Sequence, residues 1–182
     1  TRLPDLTFED LRSERRKLSS LKGDKGLVVA LVGPDCPVSK RYFPTLAKLE
    51  REWSERGFGF VLIAPLSDSK PALESALASV GIKAVSALDK DGALAKALNA
   101  RVSTDVFLYD SALTLVYRGA IDDQYGLGYQ HDAPKREFLV EALKAVASGR
   151  LPEIAATEAP GCVLDLSDAP APQNATVTYR SE

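Results

Sequence analysis

The residues of this chain most able to do chemistry are its two cysteines and its one histidine. They are Cys36, Cys162 and His131. Three such residues are too few for a disulfide-rich scaffold or for a zinc cluster of cysteines and histidines. The chemistry left open to them is thiol–disulfide exchange, a single structural disulfide or a soft metal site.

Cys36 stands where a helix is expected to begin. A glycine and a proline end the preceding apolar run, and Pro37 suits a first helical turn, where its missing N–H is no loss. The positive end of the helix dipole and the free N–H groups of the first turn stabilise a thiolate there. Lys40 and Arg41 would add to this if they face the sulfur. The position favours a reactive or metal-ligating cysteine over an inert buried one.

The elements that must position Cys36 follow from the hydrophobic pattern. The unbroken apolar run at 27–32 predicts a strand buried on both faces of a parallel sheet. The helix that begins at Pro37 contains Pro44, which should kink it. The other predicted elements are a short hairpin over 6–11 and 17–21, strands at 58–66, 85–88, 106–109 and 114–118, helices at 70–80 and 93–99, and a last helix that ends at Gly149.

This order of elements predicts a mixed sheet flanked by helices. With Cys36-Pro37 at the helix start, Pro44 eight residues beyond the cysteine, and a hairpin of 107–110 followed by 116–119, residues 6–149 resemble the thioredoxin superfamily. Within it they resemble the redoxin-type branch of AhpC/TSA- and TlpA-like domains. The resemblance implies a thioredoxin-like three-layer α/β/α sandwich with a mixed central sheet. It also implies a thiol–disulfide oxidoreductase or a peroxidase-like redoxin.

The chain departs from the motifs that define the activities of that superfamily. Ser39 replaces the second cysteine of a C-x-x-C oxidoreductase, and Lys40 replaces that of a copper-delivering C-x-x-x-C protein. Gly33 and Val29 stand where a peroxiredoxin carries Thr or Ser and Pro. Thr104 replaces the cis-proline before the hairpin. Each of the three activities therefore lacks a defining residue.

Residues 1–150 are expected to form the thioredoxin-like domain, and residues 151–182, rich in Pro, Ala and Thr, an extended tail or linker that carries Cys162. In the predicted topology the strand before Cys36 and the second hairpin strand end at the same edge of the sheet. The last helix then leads away by about 22 Å, and the 13 residues from Gly149 to Cys162 reach back over about 40 Å. We therefore expect Cys36 and Cys162 to pair, either as a disulfide or as two metal ligands.

His131 lies in the loop that follows the hairpin and starts at the Cys36 edge. Two thiols and one imidazole that meet there would form a soft, low-coordinate site suited to Cu(I) or Cu(II). The copper-delivering branch of the superfamily uses two cysteines and a histidine from a comparable region. A solvent-exposed loop histidine is the other interpretation.

The same loop is expected to form a wall of a cleft around Cys36. Its paired aspartates suggest acid–base work, although exposed turn carboxylates are far commoner. Arg118 would stabilise an anion near the thiolate or pair as a strand residue. The expected cleft residues are Pro37, Ser39, Lys40, Thr104, Arg118, Asp122, Asp123 and Tyr125.

The composition excludes several classes of partner. The net charge of −2 gives no reason to expect nucleic acid or an anionic membrane. No apolar run approaches the roughly 20 residues needed to span a bilayer. Because the sequence contains no Met, we expect a mature or trimmed chain whose signal peptide has been removed, exported to the periplasm or the extracellular space. The linker-like tail suggests that the parent protein continues into a further domain.

Three functional hypotheses remain. The first is a thiol–disulfide redox domain in which Cys36 reacts and Cys162 resolves, with a protein thiol or disulfide as partner and no required cofactor. The second is a copper-binding or copper-transfer module that uses Cys36, Cys162 and His131. The third is a non-catalytic domain in which a structural Cys36–Cys162 disulfide pins the tail.

Overall fold

Within residues 1–126 and 128–170, which the computed structural model describes, five strands form one mixed central sheet. The strands in chain order are β1 Thr7–Glu9, β2 Arg15–Lys17, β3 Gly26–Leu31, β4 Phe58–Pro65, β5 Val85–Asp89, β6 Val106–Asp110, β7 Leu115–Gly119, β8 Tyr125–Gly126 and β9 Tyr129–Gln130. The helices are α1 Pro37–Ser54, α2 Lys70–Val80, α3 Ala93–Ala97 and α4 Phe138–Ala147.

The sheet order is β5-β4-β3-β6-β7. Strands β3, β4 and β5 are parallel, whereas β6 is antiparallel to β3 and β7 is antiparallel to β6. Strand β7 therefore runs parallel to β3, and the two end at the same edge of the sheet. This confirms the predicted mixed sheet and the edge at which Cys36 was expected.

Two apolar clusters cover the two faces of the sheet. Val28 and Ala30 of β3 pack on one face with helices α1, α2 and α4. Leu27, Val29 and Leu31 pack on the other face with α3 and the N-terminal segment. Every residue of β3 is buried, as an unbroken apolar run predicts. The result is the predicted three-layer α/β/α sandwich.

The local structure differs from the predictions in small ways. The predicted second hairpin segment at 17–21 is a strand only as far as Lys17, and Leu18–Leu21 is a 3-10 turn that buries Leu18 completely. The third helix stops at Ala97 because Asn99 adopts a left-handed backbone with φ +57°. The loop after β7 contains a short hairpin of β8 and β9.

Residues 151–170 lie along the domain. Ala155 and Thr157 exchange backbone hydrogen bonds with Arg118 of β7. Further along, Val163 forms an antiparallel bridge with Val102, just before β6. The predicted boundary at residue 150 stays a prediction, and residues 171–182 lie outside the described part of the chain. None of the helices in the described part is both long and apolar enough to cross a bilayer.

Candidate active site

Strand β3 and helix α1 together place Cys36 at the edge of the sheet. Cys36 is the residue that caps the N-terminus of α1, and Pro37 is the first helical residue, as the sequence predicts. The Cys36 N–H donates to the Gly33 carbonyl (3.0 Å), and the Gly33 N–H donates to the Ser39 hydroxyl (2.7 Å). A Cβ at Gly33 would lie only 3.0 Å from the Cys36 Cβ. This tight turn holds the Cys36 side chain inward, with 6% of its surface exposed.

The tail brings Cys162 to the same place by pairing with the loop that precedes β6. The Ser103 N–H donates to the Cys162 carbonyl, and the Leu164 N–H donates to the Arg101 carbonyl, both over 2.9 Å. The Thr104 hydroxyl donates to the Pro160 carbonyl. The tail therefore docks as an extended segment, antiparallel to residues 101–103.

The two thiols are in direct contact. The Sγ atoms of Cys36 and Cys162 lie 3.1 Å apart, across 126 positions of sequence. Both cysteines are free thiols, since a disulfide would need about 2.05 Å. The expected return of the tail to Cys36 is confirmed, and the sulfur atoms are placed for a hydrogen bond between them.

The surroundings of the two sulfur atoms favour different protonation states. Burial alone raises the pKa of the Cys36 thiol, but hydrogen bonds from the Ser103 hydroxyl, the Cys162 thiol and the Ser39 amide outweigh it and lower that pKa to about 7. The pKa of Cys162 is raised, because its thiol donates to Cys36 and because it lies beside a group that becomes negative. The Cys36 thiol is thus the more acidic of the two, and the Cys162 thiol the less acidic.

Sequence reasoning missed Ser103. Its hydroxyl donates to Cys36 Sγ over 3.1 Å and accepts from the Cys162 N–H over 3.0 Å. The available signal was its place directly before Thr104, the residue aligned with the cis-proline of the family. The sequence pattern does not show that the Ser103 side chain, and not the Thr104 side chain, reaches the Cys36 sulfur.

The loop after β7 contacts α1 through its aromatic and acidic side chains. The Tyr42 hydroxyl of α1 donates to Asp122 over 2.7 Å, and burial raises the pKa of that carboxyl. The Tyr125 ring packs edge-on against Tyr42, and the Arg41 guanidinium lies over the Tyr125 ring. Asp123 accepts the N–H groups of two residues that precede α4. These contacts give the paired aspartates structural roles.

Of the three basic residues expected near the thiolate, Arg41 lies over the Tyr125 ring, and Arg118 also has partners other than the sulfur. The Arg118 guanidinium donates to the Asn99 carbonyl and lies over the Phe107 ring, while its backbone pairs with the tail. The interpretation of Arg118 as a strand residue with its own partners is therefore favoured. Lys40 is exposed and donates its backbone N–H to the Cys36 carbonyl, the hydrogen bond that begins the helix.

His131 has other neighbours than the thiols. The centroid of its ring lies 5.0 Å from that of the Tyr129 ring, and its backbone N–H donates to the Gln124 carbonyl. Across residues 1–126 and 128–170, no group of three or more His, Cys, Asp or Glu side chains could hold a metal ion. The structure thus gives no support to a copper site built from Cys36, Cys162 and His131.

Solved structures share this fold. An uncharacterized conserved protein from Geobacillus kaustophilus superposes with a TM-score of 0.81 at 23% identity, over 91% of this chain and 90% of that one. A hypothetical protein from Sinorhizobium meliloti gives 0.79 at 25% identity, over 90% and 91%. A secreted disulfide oxidoreductase of Mycobacterium tuberculosis, homologous to E. coli DsbE, gives 0.55 at 21% identity, over 61% and 80%.

The comparison with protein families agrees with these structural likenesses. No curated protein matches the chain significantly. The Redoxin family matches residues 1–137, a span that includes the sheet and helix α1 with Cys36. The match stops before Cys162, so the second thiol comes from a part of the chain outside it. By its sequence and its thioredoxin-like fold, the chain belongs to the redoxin family.

Proposed function

We propose that this chain is a thiol–disulfide redox domain in which Cys36 is the attacking thiol and Cys162 the resolving one. The observation that carries the proposal is the 3.1 Å contact between two free thiols of unlike acidity. The pKa of Cys36 is lowered to about 7, and that of Cys162 is raised. An attacking thiol reacts fastest when its pKa lies near the ambient pH.

The first step is attack on a disulfide of the partner. The Cys36 thiolate forms a bond to one sulfur of that disulfide, and the bond between the two partner sulfurs breaks. One partner sulfur stays bound to Cys36 as a mixed disulfide, and the other leaves as a thiolate that takes up a proton from solvent. Cys36 is only 6% exposed, whereas Cys162, in contact with it, is exposed. Cys162 therefore moves aside so that the partner disulfide reaches the Cys36 sulfur.

In the second step Cys162 resolves the mixed disulfide. It loses its proton to solvent, its sulfur bonds to Cys36 Sγ, and the remaining partner sulfur leaves as a thiolate. The partner has then gained two electrons and the Cys36–Cys162 pair has lost them. The reverse sequence oxidises a partner dithiol. The backbone hydrogen bonds of the tail to residues 101–103 return Cys162 to the attacking distance.

The structural likenesses support the proposal at the level of the fold. Among the similar structures are proteins described as disulfide oxidoreductases and as a putative thiol:disulfide interchange protein from Chlorobium tepidum. In this chain Ser39 occupies the position of the second helix cysteine, and its hydroxyl is used to hold Gly33. The tail supplies the second thiol in its place.

The test compares two single-cysteine variants, Cys36→Ser and Cys162→Ser, with the parent protein. Each is reduced, desalted and mixed with oxidised glutathione near neutral pH, and intact mass is followed with time. We expect the parent to lose two hydrogens, Cys162→Ser to accumulate a glutathione adduct at Cys36, and Cys36→Ser to react much more slowly. Equal adduct formation by the two variants, or no reaction of the parent, would overturn the proposal.

A structural disulfide remains the second candidate. Intact mass measured with time separates the two candidates. A redox-active disulfide is reduced rapidly by dithiothreitol in the folded protein, whereas a structural disulfide is not. The tail is already held in the reduced state by backbone hydrogen bonds at 155–157 and 162–164. A covalent link is therefore not required to dock it, which favours the redox function.

A further inference from the structure

The Ser103 side chain lies between the two cysteines and contacts both. Its Oγ atom is 3.1 Å from Cys36 Sγ and 3.0 Å from the backbone nitrogen of Cys162. Ser103 is 4% exposed, so its hydroxyl lies inside the protein. A buried hydroxyl that is hydrogen-bonded on two sides has a fixed orientation.

The chemistry of the two neighbours decides where the hydroxyl hydrogen points. A backbone N–H can only donate, so the bond from Cys162 occupies a lone pair of the Ser103 oxygen. The hydroxyl has a single hydrogen, which it donates to Cys36 Sγ, since an ionised sulfur can only accept. The docked tail thus turns Ser103 into a donor toward the sulfur.

We propose that Ser103 is a positioning residue for the redox reaction: oriented by the amide of the docked tail, its hydroxyl donates to Cys36 Sγ and stabilises the thiolate. This inference deepens the proposed function and rests on it. A donor to a charged group is stronger than one to a neutral group, so the hydrogen bond favours the ionised form of Cys36. Seating of the tail thereby both presents the resolving thiol and activates the attacking one.

Besides Ser103, the Cys162 thiol and the backbone amides of Ser39 and Cys162 lower the pKa of Cys36. The nearest charged residues in the chain, Asp35 before α1 and Lys40 on α1, are both exposed. On the loop before β6, the Asp105 carboxylate is occupied by the N–H groups of Arg101 and Val102. In the tail, the titratable group in contact with Cys36 is the Cys162 thiol. Removal of that thiol leaves the Ser103 hydroxyl beside the backbone amides of residues 39 and 162, which Ser103→Ala does not remove.

The experiment therefore uses a Cys162→Ala background, which keeps the backbone N–H of residue 162 and leaves one thiol to titrate. The rate of alkylation of Cys36 by iodoacetamide is measured from acid to alkaline pH, with and without Ser103→Ala. We expect Ser103→Ala to slow alkylation by about tenfold or more near pH 6, where the thiolate is the minor form, and to leave the rate at strongly alkaline pH unchanged. Circular dichroism checks that each variant is folded.

Two further variants complete the test. Ser103→Thr keeps a hydroxyl, so its pH–rate profile should match that of the Cys162→Ala background. Ser86→Ala, the matched control, removes a buried hydroxyl of β5 that donates to the Ala84 carbonyl, so it should leave the profile unchanged. The proposal is overturned if Ser103→Ala follows the profile of the Cys162→Ala background, if Ser103→Thr shifts as far as Ser103→Ala, or if Ser86→Ala shifts equally. Because iodoacetamide needs no disulfide exchange, these outcomes are independent of whether the proposed function holds.

Discussion

Cys36 and Cys162 are the same residue type, and what surrounds each sulfur makes them chemically different. Cys36 is buried at the start of a helix and receives hydrogen bonds from Ser103, from Cys162 and from an amide of its own helix. Cys162 is exposed on the tail, and its thiol donates a hydrogen bond to Cys36, which raises the pKa of Cys162. Burial on its own raises the pKa of a thiol, so hydrogen bonding, not exposure, makes Cys36 the acidic member.

At this scale we predict the pH dependence of alkylation in the reduced parent protein. The folded pKa of Cys36, about 7, lies below that of a free thiol. Its reaction with iodoacetamide should therefore reach half its maximal rate near pH 7, and Cys162 should need a higher pH. Peptide mapping after timed quenching distinguishes the two sites. In guanidinium chloride both cysteines should reach half their maximal alkylation rate at about pH 8.5. If the two cysteines of the folded protein reached half-maximal rate at the same pH, the prediction would be contradicted.

At the scale of elements, the site joins the start of α1, the loop before β6 and the docked tail. The tail can approach that loop closely because residue 161 is glycine. Gly161 has φ +127°, and a Cβ there would lie 2.8 Å from the Ser103 Oγ. A side chain at this position would thus meet both backbone strain and a clash with the residue that touches Cys36.

Gly161→Ala should therefore weaken tail docking. A strain of about 1–3 kcal/mol lowers the docked population, so formation of the Cys36–Cys162 disulfide with oxidised glutathione should slow by about fivefold or more. The matched control is Gly149→Ala, since Gly149 also has a positive φ (+73°) but a Cβ there meets nothing within 4 Å. Intact mass with time gives both rates. Equal slowing in the two variants would show that the contact with Ser103 does not matter.

At the scale of the whole molecule, a Cys36–Cys162 disulfide would close a loop between residues 126 positions apart. Chain entropy alone would make such a link worth about 4–5 kcal/mol. The stability that the disulfide adds over the dithiol is smaller than this, because hydrogen bonds already hold the tail and stabilise the Cys36 thiolate in the reduced form. The difference in stability between the two forms equals the amount by which folding favours the disulfide over the dithiol.

We therefore predict that the oxidised protein is more stable than the reduced one by less than about 4–5 kcal/mol near neutral pH. Guanidinium chloride unfolding of both forms, followed by circular dichroism, measures the difference. Cys162→Ala should unfold at the same denaturant concentration with and without reductant. A gain at or above the chain-entropy value would contradict the redox function and favour a structural disulfide.

The sequence by itself determined the fold and the position of Cys36. The buried run of β3, the helix-start Pro37, the internal Pro44 and the closing hairpin are local signals, because periodicity and proline geometry act over a few residues. Only at short elements, such as the 3-10 turn at Leu18–Leu21, did packing override the local pattern. The same topology allowed Cys162 to reach the Cys36 edge, since it fixed which strands end there.

Only the tertiary structure decided the make-up of the site. Sequence reasoning offered His131, Arg118 and the paired aspartates as neighbours of the thiols, and the structure gives them other partners. It places Ser103 there instead, through contacts with residues 67 and 59 positions away in the chain. Such contacts depend on the side-chain direction of one loop residue and on the path of the tail, and neither leaves a periodic or local trace in the sequence. The order of pKa values in the thiol pair is a property of that packing.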